Sequence, residues 1–137
     1  MPDLSDRELM LFNDSFERCG LRPGFLERFY EIFVGSSDEI AGKFRDTDMR
    51  QQAALLRVSL YCVMLASWGK PEGHAHLERI AKIHSRTGRA ISPDLYDLWL
   101  DSLLTAVREY DPSLDRDSEQ AWRRVLAPGI EFLKSRY

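Results

Sequence analysis

The stretch Ile80–Tyr96, IAKIHSRTGRAISPDLY, decides how the chain is read. Leu77 and Ile80 precede His84 by seven and four residues, so at 3.6 residues per turn all three share one stripe of a helix. Glu78, Arg79, Lys82 and Arg86 fill most of the other positions. His84 is therefore expected on the inward face of an otherwise solvated helix running from about His74 to Thr87, with Gly88 as its stop. A core histidine bonded to a backbone carbonyl fits this pattern as well as a metal ligand does. Ser92-Pro93-Asp94 then starts another helix, which reaches about Tyr110.

Helical signals continue in both directions. Ser5-Asp6-Arg7-Glu8 is a capping-box pattern, followed by Leu9, Phe12 and Phe16 at helical spacing and by Gly20 as a stop. Pro23 is expected as the first residue of a second helix with Phe25, Phe29 and Phe33 on one side, ended by Gly35, Ser36 and Ser37. A short turn of helix fits Asp38 to Lys43. Thr47 is expected to cap a long helix that runs to about Trp68, and GKPEG (Gly69–Gly73) reads as a loop. Asp111–Ser118 reads as a turn before a last helix, which Pro128-Gly129 should kink or break. No segment shows sustained strand alternation. The expected fold is all-α, with about six main helices in a single domain over residues 1–137.

Composition excludes several functions. Of 137 residues, 44% are hydrophobic and 30% charged, the balance of a soluble globular chain rather than a disordered one. A formal net charge of -3 gives no basic excess for nucleic acid or an anionic membrane surface. The apolar run Val58–Trp68 is too short to span a bilayer and is bracketed by Arg57 and Lys70. The acidic, polar start MPDLSDREL is not a secretory signal. Cys19 and Cys62 lie far apart with no CxxC partner, so both are expected as buried thiols in a reducing cytoplasm.

The chemistry left to His84 is narrow. There is no HExxH and no second histidine on its face, and His74 and His76 sit at a helix edge with no evident partner. A closed zinc site lacks ligands. A heme iron, by contrast, needs only one axial histidine from the protein on one side.

RFYEIF (Arg28–Phe33), FRDTDMRQQ (Phe44–Gln52), LERIAKIH (Leu77–His84) and ISPDLY (Ile91–Tyr96) follow one another in an order and at spacings that resemble the globin family. The resemblance covers essentially the whole chain and is greatest to bacterial single-domain globins and the heme domains of flavohemoglobins. It implies helices that sandwich heme b, with His84 as the iron ligand. Ile80 borders the cofactor, Phe44 stacks on the porphyrin and Tyr96 touches the proximal side. It also implies that Tyr30 hangs over the distal face.

On that face a phenol or amide donor would stabilise the partial negative charge of a bound gas. Gln52 suits this role beside Tyr30, because Gln52, Leu56 and Ser59 form one stripe and Leu56 would border the gas. The other register uses Gln51 and Leu55. No histidine takes the distal place it has in vertebrate globins. Lys82, Arg86 and Arg89 are candidates to meet heme propionates. Two departures stand out: the segment between His84 and Tyr96 is two residues longer than in flavohemoglobins, and their C-terminal glutamate has no clear counterpart, Glu131 being near but out of register.

The resemblance implies reversible binding of O2, NO or CO by a monomer or homodimer. An NO dioxygenase using a separate reductase is the enzymatic alternative, since no flavin or NAD domain is expected in this chain. A gas- or stress-sensing module acting through a partner is the third reading.

Overall fold

Ser5 opens the first helix of the computed structural model, which describes residues 4–137. Its hydroxyl accepts from the Glu8 amide while the Glu8 carboxylate accepts from the Ser5 amide, the capping box read from the sequence. Among the described residues there are seven helices and no strand. They are α1 (Asp6–Gly20), α2 (Phe25–Gly35), α3 (Asp38–Lys43), α4 (Met49–Ser67), α5 (Pro71–His84), α6 (Leu95–Tyr110) and α7 (Arg116–Ser135). Six are long and α3 is short, as the all-α reading expected.

Apolar stripes decide the packing. α1 buries Leu9, Phe12, Phe16 and Cys19, and α2 buries Phe25, Phe29 and Phe33. Trp122 of α7 lies fully buried, edge-on to Phe12 at 4.7 Å and to Phe16 at 5.9 Å. Each such side chain stabilises the fold by about 1.5–3 kcal/mol through burial alone. The most extensive helix contacts are α4 on α5, α2 on α6, and α1 on α7, while α7 also reaches α4 and α5. A polar knot pins α1 to the end of α6: Arg18 grips Asp111 through two bonds of 2.7 and 2.9 Å. Ser15 donates to the same carboxylate at 2.6 Å, and Trp122 Nε1 donates to Ser15. Arg18 and Ser15 thus hold the buried Asp111 carboxyl below its usual range, outweighing its desolvation.

Several boundaries differ from expectation. Pro23 does not open α2; it sits in the preceding turn, and Gly24 caps the helix in a left-handed conformation (φ +90°) that helical residues cannot share. Asp48, not Thr47, caps α4, because its carboxylate accepts from the Arg50 and Gln51 amides. GKPEG is only partly loop. Pro71 starts α5 and Gly73 lies inside it, against the backbone of α4.

α5 stops at His84, earlier than Gly88, because the segment after it folds back. The amides of Arg89 and Ile91 take the carbonyls of Ile83 and His84 at 2.7 and 2.9 Å. The turn after α6 ends at Asp115, whose side chain caps α7 by accepting from the Ser118 amide. α7 runs unbroken through Pro128. Gly129 there lies against Val63, so the helix is clamped on α4, and Ser67 Oγ donates to the Val125 carbonyl at 2.7 Å. Cys19 is buried as expected, but Cys62 is only half-buried; both are free thiols. No helix of the described residues is long and apolar enough to cross a membrane.

Candidate functional site

His84 is the last residue of α5, and its half-buried ring is held by the start of α6. Its Nδ1 lies 2.9 Å from the phenol oxygen of the buried Tyr96. The returning loop sets this contact. Its N–H groups cap the α5 carbonyls, Ala90 adopts a left-handed conformation (φ 53°), and Lys43 Nζ donates to the carbonyls of Arg89 and Ala90 at 3.1 and 3.4 Å. The end of α3, next to Phe44, is thereby tied to the loop that leads to Tyr96.

Burial, with a smaller contribution from the positive charge of Arg89, lowers the His84 pKa to about 4, so the ring is neutral at pH 7. Burial also pushes the Tyr96 phenol up to about 12, so it remains a neutral hydroxyl. Among the described residues, Nδ1 is the only ring nitrogen of His84 with a hydrogen-bond partner. Ile80, one turn earlier, is half-buried, and Leu77 is buried.

A second group gathers where α2, α3 and α4 meet. Tyr30 and Leu56 are buried, and Gln52 is half-buried. Gln52 Nε2 donates to the Tyr30 oxygen at 3.3 Å, which leaves the phenol hydrogen free to donate. Burial pushes the Tyr30 phenol up to about 12, with the Gln52 bond opposing that rise. Phe44 sits edge-on to Tyr30 at 5.5 Å and to Phe33 at 6.1 Å. The neighbouring register turns outward, as Gln51 and Leu55 are exposed.

The three cations near the end of α5 are not equivalent. Arg86 turns to Tyr137, its guanidinium 4.8 Å over that ring, and Lys82 lines a surface cleft with Glu78, Ser85 and Arg136. Arg89 is the one whose charge reaches His84. Glu131 faces solvent beside Lys134 at 3.8 Å.

His76 is tied down by a hydroxyl rather than by any further metal-ligating side chain of the described residues. His76 Nε2 lies 3.0 Å from Ser59 Oγ, a bond between α4 and α5 that crosses two helices and leaves no trace in local spacing. Among the described residues no group of three or more histidine, cysteine, aspartate or glutamate side chains can hold a metal ion.

Comparison with known proteins gives one informative match. A Pseudomonas aeruginosa PAO1 protein, whose crystal structure is described as structurally highly homologous to a human hemoglobin, superposes with a TM-score of 0.91. It is 38% identical in sequence, over 95% of this chain and 98% of that one. No family model matches the chain. Nor does any curated protein.

Proposed function

The chain belongs to the globin family, and from that premise we propose that it binds heme b through His84 and uses it to bind O2 and other diatomic gases reversibly. The observation that carries this reading is the His84–Tyr96 pair. A ligand imidazole needs one unprotonated nitrogen for the metal and a partner on the other nitrogen to fix the ring. His84 is neutral at pH 7, is held through Nδ1, and has Nε2 left over. That donor set fits heme, which supplies the iron at which a gas binds.

The roles of the chain's own residues follow. Nδ1–H donates to the Tyr96 oxygen, which orients the ring and keeps Nε2 as the electron-pair donor. Tyr96 accepts as a neutral phenol, so the imidazole keeps its proton and is a weaker electron donor than one paired with a carboxylate. Glu131, the one acid near the matching place in sequence, faces solvent instead. This favours holding a gas over cleaving it.

On the other side, Gln52 orients Tyr30 and Tyr30 keeps a hydrogen to offer a polarised ligand. Phe44 and Leu56 supply core apolar surface that excludes water, with Ile80 half-buried one turn before His84, and Arg89, whose charge reaches His84, is the candidate cation for a propionate.

Absorption spectra of the hemin-reconstituted protein in ferric, reduced and CO-bound forms, beside His84→Ala, test the proposal. A sharp Soret band that shifts with CO and loses its character in the variant is expected. Equal hemin binding by both proteins would overturn it.

A further inference from the structure

The His84–Tyr96 bond joins two helices that do little to support each other. α5 and α6 have no extensive direct packing, whereas α7 packs on both. Gly129 of α7 faces Leu77 of α5, but further along a surface cleft of about 230 Å³ opens between the two helices. Glu78, Ala81, Lys82 and Ser85 line it on one side and Arg136 on the other. At the His84 end of α5, apolar packing on α7 thus gives way to polar contacts.

Those contacts come from Lys134–Tyr137 and reach both members of the pair. On α5, before His84, the Glu78 carboxylate accepts two bonds of 3.3 Å from the Arg136 guanidinium. Just after His84, the Arg86 amide donates to the Tyr137 backbone oxygen at 3.2 Å, and the Arg86 guanidinium lies 4.8 Å over the Tyr137 ring. On α6, Lys134 Nζ donates at 3.2 Å to Asp97, the residue that follows Tyr96.

We propose that Lys134, Arg136 and Tyr137 are positioning residues for the His84–Tyr96 pair: they fix the end of α5 against the start of α6 and so set the angle of the His84 ring. The inference rests on the heme reading for what that ring then does. One exposed ion pair holds little by itself. Here three contacts share one helix end and straddle a single bond of 2.9 Å, whose geometry tolerates little displacement. Two of the three are ion pairs at the surface, so the hold on the ring loosens as salt screens them.

Amide hydrogen exchange on the full chain without heme is the first test. The amides to follow are those of Arg89 and Ile91, which donate to the carbonyls of Ile83 and His84. In Arg136→Glu, which places a like charge beside Glu78, they are expected to exchange about two- to fivefold faster, while amides of α1 keep their wild-type rates. Adding Glu78→Arg should restore the slow rates, and wild type in about 1 M salt should approach the single variant. In the hemin-loaded protein the iron–histidine vibration should shift in Arg136→Glu and return when the charges are exchanged. Unchanged exchange at Arg89 and Ile91, equal acceleration in α1, a failed rescue or an unmoved vibration would each overturn the proposal. A chain that takes up no hemin overturns the heme reading instead, and exchange alone then decides whether α7 holds the pair.

Discussion

The phenol oxygen of Tyr96 stands 2.9 Å from Nδ1 of His84 and joins the end of α5 to the start of α6. On the proposed heme reading, this bond would fix the angle and basicity of the ligand ring. Replacing Tyr96 with phenylalanine keeps the ring volume and removes only the acceptor. The iron–histidine vibration in resonance Raman spectra is then expected at lower frequency, with heme released about 10–100 times faster to a competing apoprotein. A frequency equal to wild type would mean that Tyr96 does not tune the ligand.

Gln52 and Gln51 make the corresponding comparison on the side proposed to face the gas. Gln52 donates to Tyr30 at 3.3 Å, and Gln51 is exposed. Loss of a hydrogen bond worth about 1–2 kcal/mol should speed O2 dissociation in Gln52→Leu by about 5–30-fold. Tyr30→Phe should act in the same direction, and Gln51→Leu should match wild type. Stopped-flow displacement of O2 by CO measures all three, and a large effect at Gln51 would assign the wrong face of α4 to the gas.

Folding of the apoprotein should be acid-sensitive through His84. Its pKa is 6.5 in the unfolded chain and about 4 in the fold, so between these values the unfolded state binds more protons. The stabilisation is complete above pH 6.5 and is lost as pH falls toward 4, on the order of 3 kcal/mol at about 1.4 kcal/mol per pH unit. Burial lowers the His76 pKa as well, in the same direction. Urea melts from pH 7 to 5 should show wild-type stability falling and His84→Leu changing distinctly less. The carboxyls of Glu8 and Asp111 are held below their usual range by their hydrogen-bond partners, so they too add stability that is lost on acidification, and the His84→Leu comparison separates the histidine from them.

The parts of the fold that could be read from the sequence are those that depend on neighbours in sequence. The Ser5 capping box, the Phe25-Phe29-Phe33 stripe and the span of α3 need only helical geometry, and the structure has all three. The inward face of His84 was legible for the same reason. What was not legible depends on other helices. Pro128 reads as a breaker, yet contacts of Gly129 with α4 and of Ser67 with the Val125 carbonyl hold α7 in one piece. The Ser59–His76 bond links residues that share no periodic pattern. Gly88 has the composition of a helix stop, but the chain leaves the helix at His84 because a returning loop supplies the caps first.

Gly73 shows the same limit and gives the sharpest test of packing. In sequence it closes a loop-like GKPEG, whereas in the fold it lies two residues inside α5, where that helix crosses α4. A Cβ there would lie 2.2 Å from the Ala66 amide nitrogen and 2.6 Å from the Cys62 carbonyl oxygen. Backbone atoms of a packed helix cannot yield as a flexible side chain can, so α5 would have to move away from α4. Helix propensity favours alanine over glycine by about 1 kcal/mol, so an isolated helix would gain from Gly73→Ala. The clash should outweigh that gain and destabilise the protein by about 2–4 kcal/mol, in the range of severe overpacking. Since α5 carries His84, heme retention should fall with stability. Gly35→Ala, at a helix end where no atom lies within 4 Å of the new Cβ, is the control and should melt within a few degrees of wild type. Thermal melts of the two variants decide the matter: a Gly73→Ala protein as stable as Gly35→Ala would mean that α4 and α5 do not approach as closely as the fold requires.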